Sequence, residues 1–109
     1  MNRDLFPKPG FYYHYKHDPN GPLEKYAYEI INIGHHTEIE GEEGLLVIYR
    51  PLYPSAYVYQ HGKMYDVRPI KMFLEPVDKP EYQGPRFIPI TDPEIIAFLE
   101  SKKLELYGN

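Results

Sequence analysis

Two pairs of residues open the question of chemistry: His14 with Lys16, and His36 with Glu38, each two positions apart. On an extended chain that spacing puts both side chains on one face. Tyr12 shares the face of the first pair, and Tyr49, Arg50 and Arg68 complete the candidate set. Three chemistries fit these residue types. Imidazoles and a carboxylate are donors for a catalytic zinc or a non-haem iron, with His35 as a third imidazole. A His-His doublet in a turn follows no established ligand spacing, so no metal and no other cofactor is read from the sequence. Acid–base chemistry would use His36 as base and Glu38 as its orienter, since imidazole titrates near neutrality. The chain has no cysteine, and its only serines are Ser55 and Ser101, neither in a recognisable nucleophile setting. A small metal- or His-dependent enzyme is therefore the alternative reading and not the first. The first is a binding module: Tyr12, Tyr49, Tyr53, Met72 and Phe73 wall a groove, and Arg50 and Arg68 meet a peptide or a small anionic ligand. A reader of single-stranded nucleic acid, whose bases stack on aromatic rings, is a further alternative. Beside all of these stands a structural role, in which the histidines bond backbone carbonyls, Arg68 pairs with Glu29, Glu38 or Glu75, and Tyr49 and Met72 are core.

Composition narrows the partners. The formal net charge is −4 over 109 residues, and the sequence pI is about 5.7. Nucleic-acid binders usually carry a basic field, so an extended phosphate-binding surface is disfavoured while a local basic patch is not. A protein or peptide partner suits the charge better, and an aromatic surface could equally seal a homodimer. No apolar run approaches the roughly 20 residues that span a bilayer. Residues 1–10 lack the apolar stretch of a secretory signal. These features lead to the expectation of a cytoplasmic protein with no membrane partner. The 12 Tyr and 5 Phe, without Trp, suit strands and a small core.

The elements that must position the candidates read as follows. Residues 11–16 alternate aromatic and polar and make a first strand. The turn residues Asp18, Pro19, Asn20 and Gly21 end it. Residues 25–33 form a second strand, and the acidic stretch 38–44 a solvated loop. Residues 45–50 are the most apolar and give a central strand, ended by Pro51 and Pro54. A short strand over 56–60 and a turn at His61 and Gly62 lead to a partner strand over 63–68. Residues 70–75 are a helical turn or a strand edge, and prolines punctuate a loop through Arg86 and Phe87. Thr91, Asp92, Pro93 and Glu94 start a helix over about 92–104, with Ile95, Phe98 and Leu99 as its apolar stripe. The fold expected is mainly β: a small barrel or a strongly twisted antiparallel sheet with one C-terminal helix. It is a single domain over 1–109, with a β unit over 10–90 and a helical extension over 91–109.

Five segments in order carry a resemblance to a family. Gly10 to Lys16 resembles G-x-Y-x-H-Y-K, and Gly34 to Glu38 resembles A-x-H-S-E. Val47 to Tyr53 resembles V-V-Y-x-x-L-Y, and Val67 to Glu75 resembles V-R-P-x-x-M-F-x-E. Arg86 and Phe87 resemble a closing R-F. Together they resemble the bacterial domain of unknown function sixteen-fifty-three. The resemblance implies an SH3-like small barrel and no activity. The loops over 17–25 and 54–64 are longer than that pattern, and Asp66 stands where an aromatic is expected. If that aromatic served ligand stacking, Asp66 removes the use here.

Overall fold

A computed structural model describes residues 3–54 and 64–108. Among the described residues seven strands precede a C-terminal helix. Strands β1 (Gly10–His14), β2 (Ala27–His35) and β3 (Leu45–Pro51) come first. Strand β4 (Asp66–Pro69) runs into a short helix α1 (Ile70–Leu74). Strands β5 (Val77–Lys79), β6 (Tyr82–Gly84) and β7 (Phe87–Pro89) precede helix α2 (Pro93–Tyr107). The main sheet is antiparallel throughout, in the order β4-β3-β2-β1-β7, while β5 and β6 pair as a separate hairpin. Among the described residues β4 and β7 do not pair with each other, so the sheet is open and not a closed barrel.

Alternation along the central strands gives the sheet two apolar faces. On one face Tyr12, Tyr28, Ile30, Val47 and Tyr49 pack with Ile70 and Phe73 of α1 and Phe87 of β7. On the other, Phe11, Ala27 and Leu52 pack against Leu99 of α2, flanked by Ile95, Ile96 and Phe98. The helix thus covers one face of the sheet. Its start follows the capping chemistry: the Asp92 carboxylate accepts the Glu94 amide at 2.9 Å, and Pro93 occupies the first turn. It ends at Gly108, whose φ of 77° is the left-handed conformation glycine adopts freely. The helix runs to Tyr107, three residues beyond the expected Leu104. No helix among the described residues is long and apolar enough to cross a membrane.

Some of these expectations are revised and one falls outside the described residues. The stretch 76–87 is not merely a loop, because Val77–Lys79 and Tyr82–Gly84 form a hairpin and Phe87 opens β7. Residues 66–69 pair with β3, Val47 opposite Arg68 and Tyr49 opposite Asp66, which satisfies the outer edge of the most apolar strand. The expected strand over 56–60 and the turn at His61 and Gly62 lie outside the described residues. The acidic stretch, read as a loop, holds a 3-10 turn over Gly41–Gly44. Residues 70–75 take the helical form of the two allowed.

Candidate functional site

The sequence candidates separate into four places. Arg50 lies opposite Glu29 in the sheet and is buried beneath α2. Its Nε donates to Glu29 Oε1 at 3.0 Å, and Lys103 of α2 meets Glu29 Oε2 at 2.9 Å. The Arg50 guanidinium also sits 4.0 Å from the centre of the Tyr107 ring. These contacts tie the helix to the sheet. Tyr12 and Tyr49 are half-buried core rings, each edge-on to Phe73. The Tyr12 hydroxyl donates to the Lys8 carbonyl at 2.9 Å and accepts the Lys8 amide at 3.0 Å, which pins the N-terminal segment.

His36 and Glu38 sit in an exposed turn, where the Glu38 amide donates to His36 Nδ1 at 3.1 Å. They do not meet His14. Tyr13 pairs with Ala27, and His36 lies nine positions further along that strand. Roughly 25–30 Å of extended chain separates the two histidines. Among the described residues no group of three or more His, Cys, Asp and Glu side chains is placed to hold a metal ion.

His14 and Lys16 lie at one end of the sheet, while Arg68, on β4 opposite Val47, acts on His14 through its charge. His14, at the last position of β1, is opposite Phe87 and packs edge-on against that ring at 5.2 Å. Its Nδ1 accepts the Lys16 amide at 3.2 Å, which requires the neutral ring to carry its proton on Nε2. Its pKa is lowered to about 4, first by burial and then by the charges of Lys16, Arg86, Arg68 and Lys79. Those four cations come from three different parts of the sheet and the β5–β6 hairpin, so the fold itself gathers them. None of Lys16, Arg68 and Arg86 forms a salt bridge among the described residues. The residues outside that set carry no Asp or Glu side chain. Lys25 lies over the Tyr26 and Tyr53 rings at 5.6 and 4.9 Å, adding a fifth cation to the same end.

Tyrosines line this basic end. Tyr15 stacks on Tyr82 with ring centres 5.1 Å apart, and Lys79 Nζ donates to the Tyr15 hydroxyl at 2.9 Å. That hydrogen bond, aided by the charges of Lys79, Lys16 and Arg86, holds the Tyr15 pKa below its ordinary value. Tyr26 stacks beside His14 at 5.7 Å and faces Tyr53 at 6.1 Å. The Tyr53 and Tyr28 hydroxyls are 2.7 Å apart, and burial raises the pKa of both. Tyr26 is also the one non-glycine residue with positive φ among those described, at 63°. An aromatic side chain in that region is strained, and such strain concentrates where a ring must be held in one orientation. Between Tyr15, Tyr26 and Tyr82 opens a cleft of about 670 Å³ whose rim carries Lys16, Lys79 and Glu81.

A second cleft of about 500 Å³ lies at the His35 end, between the N-terminal segment and β2. Phe6, Pro7 and Ile33 line it, with Arg3 and Lys8 as its cations. It lacks the stacked rings and the gathered charge of the first. The residues that sequence reasoning missed are Tyr15, Lys25, Tyr26, Lys79, Tyr82 and Arg86. Arg86 and Lys79 escaped because they lie in the stretch read as a loop, and nothing in the spacing places the β5–β6 hairpin beside β1. The positive φ of Tyr26 has no sequence signature.

The comparisons with known proteins carry a family and no activity. A family model described as protein of unknown function (DUF1653) matches residues 10–89. A crystal structure of a protein of that family from Bordetella bronchiseptica is similar, at 26% identity and a TM-score of 0.56, over 79% of this chain and 92% of that one. No curated protein matches.

Proposed function

For a chain that belongs to the DUF1653 family of proteins of unknown function, we propose a binding module whose basic, tyrosine-lined end takes a small anionic ligand. One observation carries the reading. In a chain of net charge −4, Lys16 and Lys79 rim a cleft walled by Tyr15, Tyr26 and Tyr82, with Arg86 5.9 Å from the Tyr15 ring centre. Gathered like charges that outnumber their counter-charges destabilise a fold, and they persist where they serve a ligand. An arriving anion would relieve that repulsion, and the aromatic walls would exclude water from the new ion pairs. The Arg68 and Arg86 guanidiniums suit the planar, two-oxygen recognition of carboxylate or phosphate.

The test is a thermal-shift series with inorganic pyrophosphate, sulfate and citrate on the wild type, Arg68→Ala and Arg86→Ala. The reading expects saturable stabilisation of the wild type, with the apparent dissociation constant raised about tenfold in each variant. Equal stabilisation of all three proteins, or of none, contradicts it. The same reading expects Arg68→Ala without ligand to match or exceed the wild-type melting temperature, because removing one charge relieves the cluster.

A further inference from the structure

The walls of the cleft say more about the ligand than its charges do, and resting on the binding reading above we infer that the site takes a nucleoside phosphate. The cleft is bounded by three tyrosine rings, Tyr15, Tyr26 and Tyr82, and rimmed by Lys16 and Lys79. Tyr15 and Tyr82 stack within 19° of parallel with ring centres 5.1 Å apart, so each covers part of one face of the other and the stack offers an outer ring face as a platform. Arg86 stands 5.9 Å from the Tyr15 ring centre, which places a guanidinium beside that platform. Flat apolar walls next to cations suit a ligand that is itself a flat ring joined to an anion. A carboxylate-bearing peptide supplies the charge without requiring three rings. A bare phosphate leaves the rings exposed.

Glu81 sharpens the assignment. Among the described residues it is the single carboxylate lining this cleft, beside Lys79, whose charge state it also influences. A carboxylate repels phosphate and accepts hydrogen bonds, so in a binding site it favours a ligand that also brings donors. Ribose hydroxyls and exocyclic base amines are such donors. The division of the site into donors for an anion and an acceptor for hydroxyl or amine is the division a nucleotide presents. The acidic net charge favours a short anion over a long phosphate track, which binds best to an extended basic field. The chemistry is shared by a free nucleotide and by the phosphorylated end of a single strand.

The experiment is isothermal titration of the full chain with adenosine monophosphate, uridine monophosphate, adenosine, inorganic phosphate, a 5′-phosphorylated deoxyadenosine trinucleotide and a glutamate-rich peptide. Wild type, Tyr15→Leu and Lys16→Gln are compared, each checked for an unchanged fold by its amide spectrum. The inference expects a monophosphate to bind at least about tenfold more tightly than phosphate or adenosine alone. Tyr15→Leu should weaken the nucleotide about tenfold while leaving phosphate unchanged, and Lys16→Gln should weaken both. A trinucleotide bound more tightly than the monophosphate, with the same Tyr15 dependence, identifies a strand end as the source. Equal affinities identify a free nucleotide. A nucleotide bound no better than phosphate overturns the inference and leaves the anion site standing, as does a peptide that outbinds it. Binding of no anion at all overturns both.

Discussion

Replacing Glu29 by glutamine should unfold the link between helix and sheet more severely than any change at the basic end. The structure sets the magnitude. Glu29 faces two cations at 3.0 and 2.9 Å, and the side chains of Glu29 and Arg50 are only 12% and 6% exposed. Breaking a buried pair from one side costs about 3–5 kcal/mol, because the remaining charge stays buried without its partner. Lys103 is 21% exposed and can turn to water, and Arg50 keeps its position on the Tyr107 ring. The expected cost is therefore at the lower end, about 3 kcal/mol. Against a total stability of about 5–15 kcal/mol, that lowers the melting temperature by about 10 °C or more. Urea denaturation with an unchanged slope measures it. The paired replacement Glu29→Leu with Arg50→Leu should cost clearly less than the sum of the single changes, since it removes both charges together. A cost below about 1 kcal/mol for Glu29→Gln, or strict additivity in the cycle, would refute the claim that Arg50 is a structural residue held by this network.

Three further outcomes are expected. His14 should titrate near pH 4 by NMR. As pH falls from 6.5 toward 4 the unfolded chain takes up a proton that folded His14 refuses, so stability declines across that window, and above pH 6.5 this residue gives no pH dependence. Sulfate, whose charge is constant there, should bind more tightly as pH falls through the same window and should raise the His14 pKa; a free-state value near 6.5 would contradict the packing described. Tyr26→Gly should change stability by no more than about 1 kcal/mol in urea denaturation, because relief of the left-handed strain offsets the lost ring contacts, whereas a loss near the 3–5 kcal/mol usual for removing a buried aromatic would show no strain. Gly44→Ala should cost more than about 2 kcal/mol, since a Cβ there runs into the Ile39 carbonyl and lies 2.8 Å from His35 Nε2; an unchanged melting temperature would show that the turn can open.

The fold was largely readable because its signals are local. Alternation over 11–16, the apolar run at 45–50 and the Asp92–Pro93 start each act within a few residues. The β5–β6 hairpin was not readable, since its strands are three residues each and sit among prolines. The candidate site was half readable for a related reason. His14 and Lys16 announced themselves by a two-residue period, but Lys79, Tyr82 and Arg86 reach them only through tertiary placement of the hairpin and β7. Arg50 misled because an exposed anion-binding arginine and a buried, paired one are identical in sequence. What separates them is Glu29 in the opposite register position and Lys103 on a helix more than fifty residues away. Whether His36 and Glu38 meet His14 was not legible either: their spacing is right for a shared face, but the strand carries them to the opposite end from His14.

The central claim is that the end of the sheet holding His14 is an anion site. The most direct measurement is an amide NMR titration of the full chain with inorganic pyrophosphate at neutral pH and low salt. The account predicts saturable shifts confined to residues around His14, Lys16, Arg68, Lys79 and Arg86, with none at His36 and Glu38. Shifts centred on the His36 end, or none that saturate, would contradict it.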